Sequence, residues 1–132
     1  MITVPISLGE LIDKITILKI KQTKITDPTK LINVNKEYNL LIKIMNTNNI
    51  YENHELFIQL YNLNLEFWEY HDWQREKWEL YENNNNIIDI ELYKKNRQEH
   101  ILNDKRAEIK KQINIKYSSE IIEEKQFKSY QI

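Results

Sequence analysis

The sequence contains no cysteine, one glycine and only two prolines. The absence of cysteine excludes disulfide frameworks, thiolate metal sites and cysteine nucleophiles. Because glycine and proline form most tight turns, their scarcity disfavours a β-rich fold and favours long helices joined by short connections. The chain has no run of about 18 apolar residues, and its N-terminus lacks a charged region followed by an apolar core. We therefore expect a cytoplasmic protein with no membrane partner.

Net charge is close to zero, at −1, but it is distributed unevenly. Residues 1–50 and 91–132 are basic, whereas residues 51–90 are strongly acidic. An acidic middle helix packed between two basic flanking segments explains this pattern. A nucleic-acid surface requires a basic patch that no acidic helix neutralises, so no nucleic-acid partner is expected.

A first helix is predicted from Leu8 to about Lys24. Ser7 and Glu10 form a capping box, in which the Ser7 hydroxyl accepts from the Glu10 amide and the Glu10 carboxylate reaches back. Apolar residues recur on one face of this helix, and Ile17 and Ile20 lie on the opposite side. A helix that is apolar on two faces is normally central in its fold.

Three further helices follow from turn signals and apolar periodicity. Asp27 as N-cap and Pro28 at the first helical position begin the second helix, which ends in the polar stretch 46–49. The third is predicted from about Glu52 to Glu82, and the fourth from about Ile88 to Lys116.

The chain, residues 1–132, is predicted to form a single all-α domain. Its architecture is an antiparallel bundle of four main helices, with long third and fourth helices and a short C-terminal tail from Ile121 to Ile132. Phe127 and Tyr130 are expected to dock this tail on the bundle.

The first and third helices carry more apolar surface than a four-helix monomer usually covers. This surplus comprises Ile17, Ile20, Tyr61, Trp68 and Trp73. We expect a homodimer through the third helix to bury it, since a self-complementary patch is the commonest oligomer contact. The alternative is that the C-terminal tail covers the same surface within one chain.

One polar constellation stands out as a candidate site. It comprises Glu10, Asp13 and Lys14 on the first helix, facing Asn103, Asp104, Arg106 and Lys110 on the fourth. Two interpretations remain open: a buried ion-pair network that sets helix register, or a polar pocket for an anionic or sugar ligand. Because an unpaired carboxylate on a buried face is costly, Arg106 is expected to pair with Glu10 or Asp13.

No metal site and no cofactor are predicted. A di-iron carboxylate bundle requires Glu-x-x-His pairs on facing helices, and none of His54, His71 and His100 has a glutamate three residues before it. The only glycine, Gly9, cannot supply a glycine-rich phosphate loop.

Several stretches resemble a small family of bacterial and phage proteins of unknown function. The stretch 4–21 (VPISLGELIDKITILKIK) and the segment 25–28 (ITDP) carry most of this resemblance, and the shorter stretches 65–69, 103–107 and 123–125 are also similar. The family has no assigned activity. Its longer relatives tend to be associated with glycosyltransferase and surface-polysaccharide proteins, so the resemblance implies a glycan-related accessory role. Together with a composition rich in Ile, Asn and Lys, it points to a marine bacterium or its phage as the source.

Two hypotheses of function follow. The first is a non-enzymatic interaction or accessory protein with an unidentified protein partner, linked to surface-glycan synthesis. The second is a small sugar- or nucleotide-binding protein or enzyme that uses Glu10, Asp13 and Arg106. A sealed cluster with every polar atom paired favours the first hypothesis, and a depression open to solvent at the cluster favours the second.

Overall fold

The computed structural model describes residues 1–84 and 90–125. These residues form four α-helices, which are α1 (Leu8–Lys24), α2 (Pro28–Thr47), α3 (Glu55–Asn83) and α4 (Ile90–Lys116). Helix α1 packs against each of the other three, and α3 packs along α4. The predicted all-α fold is therefore confirmed. No helix in the described ranges is both long enough and apolar enough to cross a membrane.

The first two helices begin where their capping signals predicted. The Ser7 hydroxyl accepts a hydrogen bond from the Glu10 amide at 3.0 Å. The Asp27 carboxylate accepts from the amides of Thr29 and Lys30, at 2.9 and 3.4 Å. Both helices therefore begin with amide groups satisfied by a side chain, which stabilises a helix N-terminus.

Helix α3 begins three residues later than predicted, at Glu55 instead of Glu52. The reason lies in the tertiary contacts of Glu52. Its carboxylate accepts from the Lys19 ammonium at 2.7 Å and from the Tyr38 hydroxyl, so it joins α1 to α2 from the turn before α3.

The predicted start of the fourth helix at Ile88 and the tail residues Phe127 and Tyr130 lie outside the described residues.

Helix α1 is the central element, as its two apolar faces predicted. Eight of its 17 residues are buried. The main core cluster joins it to α2, α3 and α4, and its fully buried members are Ile12, Ile15, Met45, Ile50, Leu60 and Ile113. The fold therefore depends on α1 being covered from several sides.

The first turn of helix α1 contacts α4, and its last turns contact α3. At its first turn, the Gly9 amide donates to Asn114 Oδ1 on α4 at 2.7 Å. At its last turns, the Lys19 ammonium lies 5.7 Å from the ring centres of both Phe57 and Tyr61 on α3. Helix α1 thus crosses the pair formed by α3 and α4.

The only glycine of the chain lies at the closest approach of α1 to α4. A Cβ atom on Gly9 would lie 2.5 Å from the backbone carbonyl oxygen of Lys110. This distance is too short for two non-bonded atoms, and a backbone atom cannot rotate away. Glycine is therefore required here by the helix crossing and not by a turn.

Helices α3 and α4 extend well beyond α1. At 1.5 Å per residue, α3 is about 43 Å long and α1 about 26 Å long. We call residues 70–84 of α3 and 90–100 of α4 the distal hairpin. Its described contacts join α3 to α4: the Tyr70 hydroxyl donates to the Lys95 carbonyl at 2.9 Å, and Lys77 pairs with Glu91 at 3.2 Å.

Candidate functional site

The centre of the predicted constellation is an ion pair between α1 and α4. Asp13 is buried, with a side chain only 1% exposed. Arg106 Nε donates to Asp13 Oδ1 at 2.9 Å, and its Nη2 bonds the second carboxylate oxygen. The predicted pairing of Arg106 is therefore confirmed, with Asp13 as the partner. A two-point contact of this kind fixes orientation as well as charge.

Two residues that the sequence analysis did not predict complete this network. Asn64, on α3, donates through Nδ2 to Asp13 Oδ1 and to Thr16 Oγ1, both at 2.9 Å. The Thr16 hydroxyl in turn donates to the Asp13 carbonyl at 2.7 Å. The sequence signal for Asn64 was its position as a polar residue in an apolar stripe of α3.

The Arg106 guanidinium is held in its charged form. Its hydrogen bonds to Asp13 raise the pKa of Arg106, and this outweighs the opposing effect of burial. The attraction of Asp13 and Glu10 acts in the same direction. Arg106 therefore does not offer a titratable group near neutral pH, which general acid–base chemistry requires.

A second ion pair lies beside the first, closer to solvent. Lys110 Nζ contacts Glu10 Oε2 at 2.5 Å, and Lys14 lies 3.6 Å from the other oxygen. The Glu10 carboxylate therefore does not reach back to Ser7 as the capping box predicted, because an ammonium group is a stronger partner than a backbone amide.

The remaining two predicted residues do not join either pair. Asp104 pairs with Lys125 at 3.2 Å. Asn103 is half-buried on α4, and its side chain makes no hydrogen bond within the part of the chain that the structure describes. Five of the seven predicted residues thus come together: Glu10, Asp13, Lys14, Arg106 and Lys110.

The segment after α4, residues 119–125, lies along the first turn of α1 and the last turns of α4. Ser119 Oγ accepts from the Leu8 amide at 3.1 Å, and the Ser7 hydroxyl bonds the Glu123 carboxylate. Lys111 pairs with Glu124 at 2.9 Å. An open depression of about 470 Å³ lies between this segment and α4.

The buried network is closed. Within residues 1–84 and 90–125, every buried side-chain nitrogen or oxygen has a hydrogen-bond partner. The described residues that line the depression include Asp104 and Lys110, but not Asp13 or Arg106. No three His, Asp or Glu side chains converge as a metal site within these ranges.

The fold and the site thus define a small all-α protein whose central helix is fixed at its crossing by a closed ion-pair network. The chain belongs to a family of unknown function (DUF6165), whose profile matches residues 2–131. Nearly the entire chain is therefore family sequence. Among curated proteins and among solved structures, nothing matches this chain.

Proposed function

We propose that this protein is a non-enzymatic interaction or accessory protein. The observation that carries the proposal is the closure of the Asp13 network. A ligand site needs polar groups that converge on open space and are free to bind. The Asp13 carboxylate already accepts from Arg106 and Asn64, so a ligand would have to displace one of these partners.

The neighbouring depression supports the same proposal. Each lysine that lines it contacts a carboxylate of the protein: Lys110 contacts Glu10 and Glu123, Lys111 contacts Glu124, and Lys125 contacts Asp104. An anionic sugar or nucleotide would have to compete with these carboxylates for every cation. The competing proposal, a sugar- or nucleotide-binding protein or enzyme, is therefore the weaker one.

The pathway that we propose is surface-glycan synthesis, with the protein acting in the cytoplasm. The support for this pathway is the sequence resemblance described above. It makes a glycan-synthesis enzyme the first protein to test as a partner.

A ligand-induced change in melting temperature separates the two candidates. A ligand present at one hundred times its Kd stabilises a protein by about 2.7 kcal/mol, which raises Tm by several degrees. We expect no such rise with millimolar nucleotides, nucleotide sugars or sugar phosphates. A rise that disappears in Lys111→Ala and Arg106→Met would overturn the proposal and favour ligand binding.

A second test uses function in the cell. The triple variant Asp13→Leu, Asn64→Leu, Arg106→Met replaces the ion pair and the Asn64 amide with apolar side chains, a change that is often neutral or stabilising when no charge is left unpaired. Circular dichroism first shows whether the variant has native helicity. If the network is structural, a variant with native helicity should restore function in a deletion strain. A folded variant that fails to complement would contradict the proposal.

A further inference from the structure

We propose that the distal hairpin is a surface for a second copy of this chain, and that two hairpins related by a two-fold axis pack into a four-helix bundle. This inference rests on the proposed function, because it names the partner of an interaction protein.

The distal hairpin exposes large apolar side chains on both of its helices. Those on its surface are Trp78 (48% exposed), Leu80 (56%), Ile90 (62%) and Tyr93 (81%). Tryptophan and tyrosine are the side chains that most often dominate protein interfaces. A partner that packs on the hairpin would remove these apolar side chains from water.

The hairpin also lacks the packing against α1 that stabilises the rest of the fold. Among its described residues, only Tyr70 and Leu92 are buried. Helices of this length are marginal in water without a packed apolar face. A second hairpin would supply that face, since a four-helix bundle covers one stripe on each of its helices.

The charges of the hairpin favour a second copy over an unrelated partner. Its α3 part carries four acidic and two basic residues, whereas its α4 part carries three basic and two acidic residues. None of the four acids on α3, which are Asp72, Glu76, Glu79 and Glu82, forms an ion pair within the described residues. A two-fold axis can place the acidic α3 of each copy against the basic α4 of the other, and such a contact is self-complementary.

This surface differs from the one that the sequence predicted for a dimer. Ile20 is buried within the single chain, and Tyr61 packs against the main core cluster. Trp73 is covered by the ammonium groups of Lys95 and Lys77, at 4.6 and 5.8 Å from its ring centre. Each of these three side chains already contacts other residues of the same chain, so the available apolar surface lies further along the hairpin.

Sedimentation velocity of the full-length protein tests the inference. Protein concentrations of about 1–100 µM suit a dimer of moderate affinity. We expect the wild type to sediment at twice its monomer mass of 16.2 kDa. Trp78→Glu and Tyr93→Glu, each tested alone, should weaken the dimer at least about tenfold, as expected for interface anchors. The matched control is Ile32→Glu, which alters an exposed apolar residue on α2 and should leave the dimer intact.

Charge reversal tests the proposed arrangement of the two copies. Glu79→Lys with Glu82→Lys should weaken the dimer, and so should Lys94→Glu with Arg97→Glu. The variant that combines all four changes should dimerise again, because each α3 then meets an α4 of opposite charge. Failure of this rescue would overturn the arrangement of α3 against α4 of the partner copy.

Two further results would overturn the inference. One is a wild type that remains monomeric at the highest concentration, and the other is a dimer that persists in both glutamate variants with native circular dichroism. Neither result would contradict the proposed function, which is tested separately by ligand stabilisation and complementation. Conversely, a ligand that stabilises the protein would refute the proposed function even if the dimer is found.

Discussion

At the residue scale, the Asp13–Arg106 pair determines how α1 meets α4. The carboxylate is almost fully buried, and the guanidinium and Asn64 together satisfy its oxygens. Removing two buried charges together costs much less than removing one, because a remaining charge has no partner. The pair therefore acts as a register device: any displacement of α1 along α4 would leave Asp13 unpaired.

Arg106→Met should reduce the free energy of unfolding by about 3 kcal/mol or more, because it leaves the Asp13 carboxylate buried without its counter-ion. Urea denaturation measures this loss. The control is Lys14→Met, which removes an exposed ion-pair partner and should cost less than about 1 kcal/mol. An Arg106→Met loss as small as that of the control would contradict a buried, charged Asp13.

Gly9→Ala should destabilise the protein, although this change usually stabilises a helix by up to about 1 kcal/mol. The added Cβ would meet the Lys110 carbonyl oxygen at 2.5 Å, and forced overpacking of this kind typically costs about 1–3 kcal/mol. A thermal melt compares the variant with Lys14→Ala, a substitution to the same residue at an exposed position of α1. A higher Tm for Gly9→Ala would mean that α1 and α4 are further apart than described.

Glu52 should contribute a pH-dependent part of stability. Burial alone would raise its pKa, but hydrogen bonds from Lys19 and Tyr38 outweigh this and lower the pKa below its ordinary 4.5. Because the folded pKa is the lower one, this stability is fully present above pH 4.5 and is lost as pH falls through the folded pKa. Glu52→Gln should therefore show a smaller loss of stability below pH 4.5 than the wild type in urea titrations at several pH values. Parallel curves would exclude this role.

At the scale of the elements, the residue at which a helix begins depends on the hydrogen-bond partners available to the residues at its N-terminus. The caps of α1 and α2 are local and were predicted, because the Ser7 and Asp27 side chains reach amides two or three residues away. The start of α3 was predicted three residues too early, since Glu52 is drawn to Lys19 and Tyr38 on other helices. Local signals therefore succeed where no distant partner competes.

Asp27→Ala should lower stability by about 1 kcal/mol, because it removes the acceptor for the first amides of α2. Asp27→Ser is the matched control, since serine caps a helix about as well as aspartate and should leave stability nearly unchanged. Denaturation midpoints measure both changes. Equal losses in the two variants would show that the effect does not come from capping.

At the scale of the whole molecule, the fold has two parts that differ in how many buried side chains stabilise them. Around α1, the helices share one core cluster, whereas the distal hairpin buries few side chains. Regions with few buried apolar contacts open locally at a lower free energy than the core. The molecule should therefore be most stable where α1 crosses α3 and α4.

Hydrogen exchange should show this difference directly. Amides of residues 72–82 should exchange faster than those of residues 57–67 on the same helix, because only the latter pack against the core. If the hairpins dimerise, raising the protein concentration should slow exchange at residues 72–82 and leave 57–67 unchanged. Uniform protection along α3 at low concentration would contradict the two-part description.

The amino-acid sequence by itself determined the helices, the capped starts of α1 and α2, the central position of α1 and the pairing of Arg106 with a carboxylate of α1. Periodicity and capping are local properties, and a buried carboxylate demands a cation wherever the chain can supply one. Only the tertiary structure decided that Asn64 and Thr16 complete the network, that Gly9 permits the crossing, and that Trp78 and Tyr93 remain exposed while Ile20 is covered. The physical reason is that these features depend on distances between residues far apart in the chain, which the packing of α1 across α3 and α4 sets and no local pattern encodes.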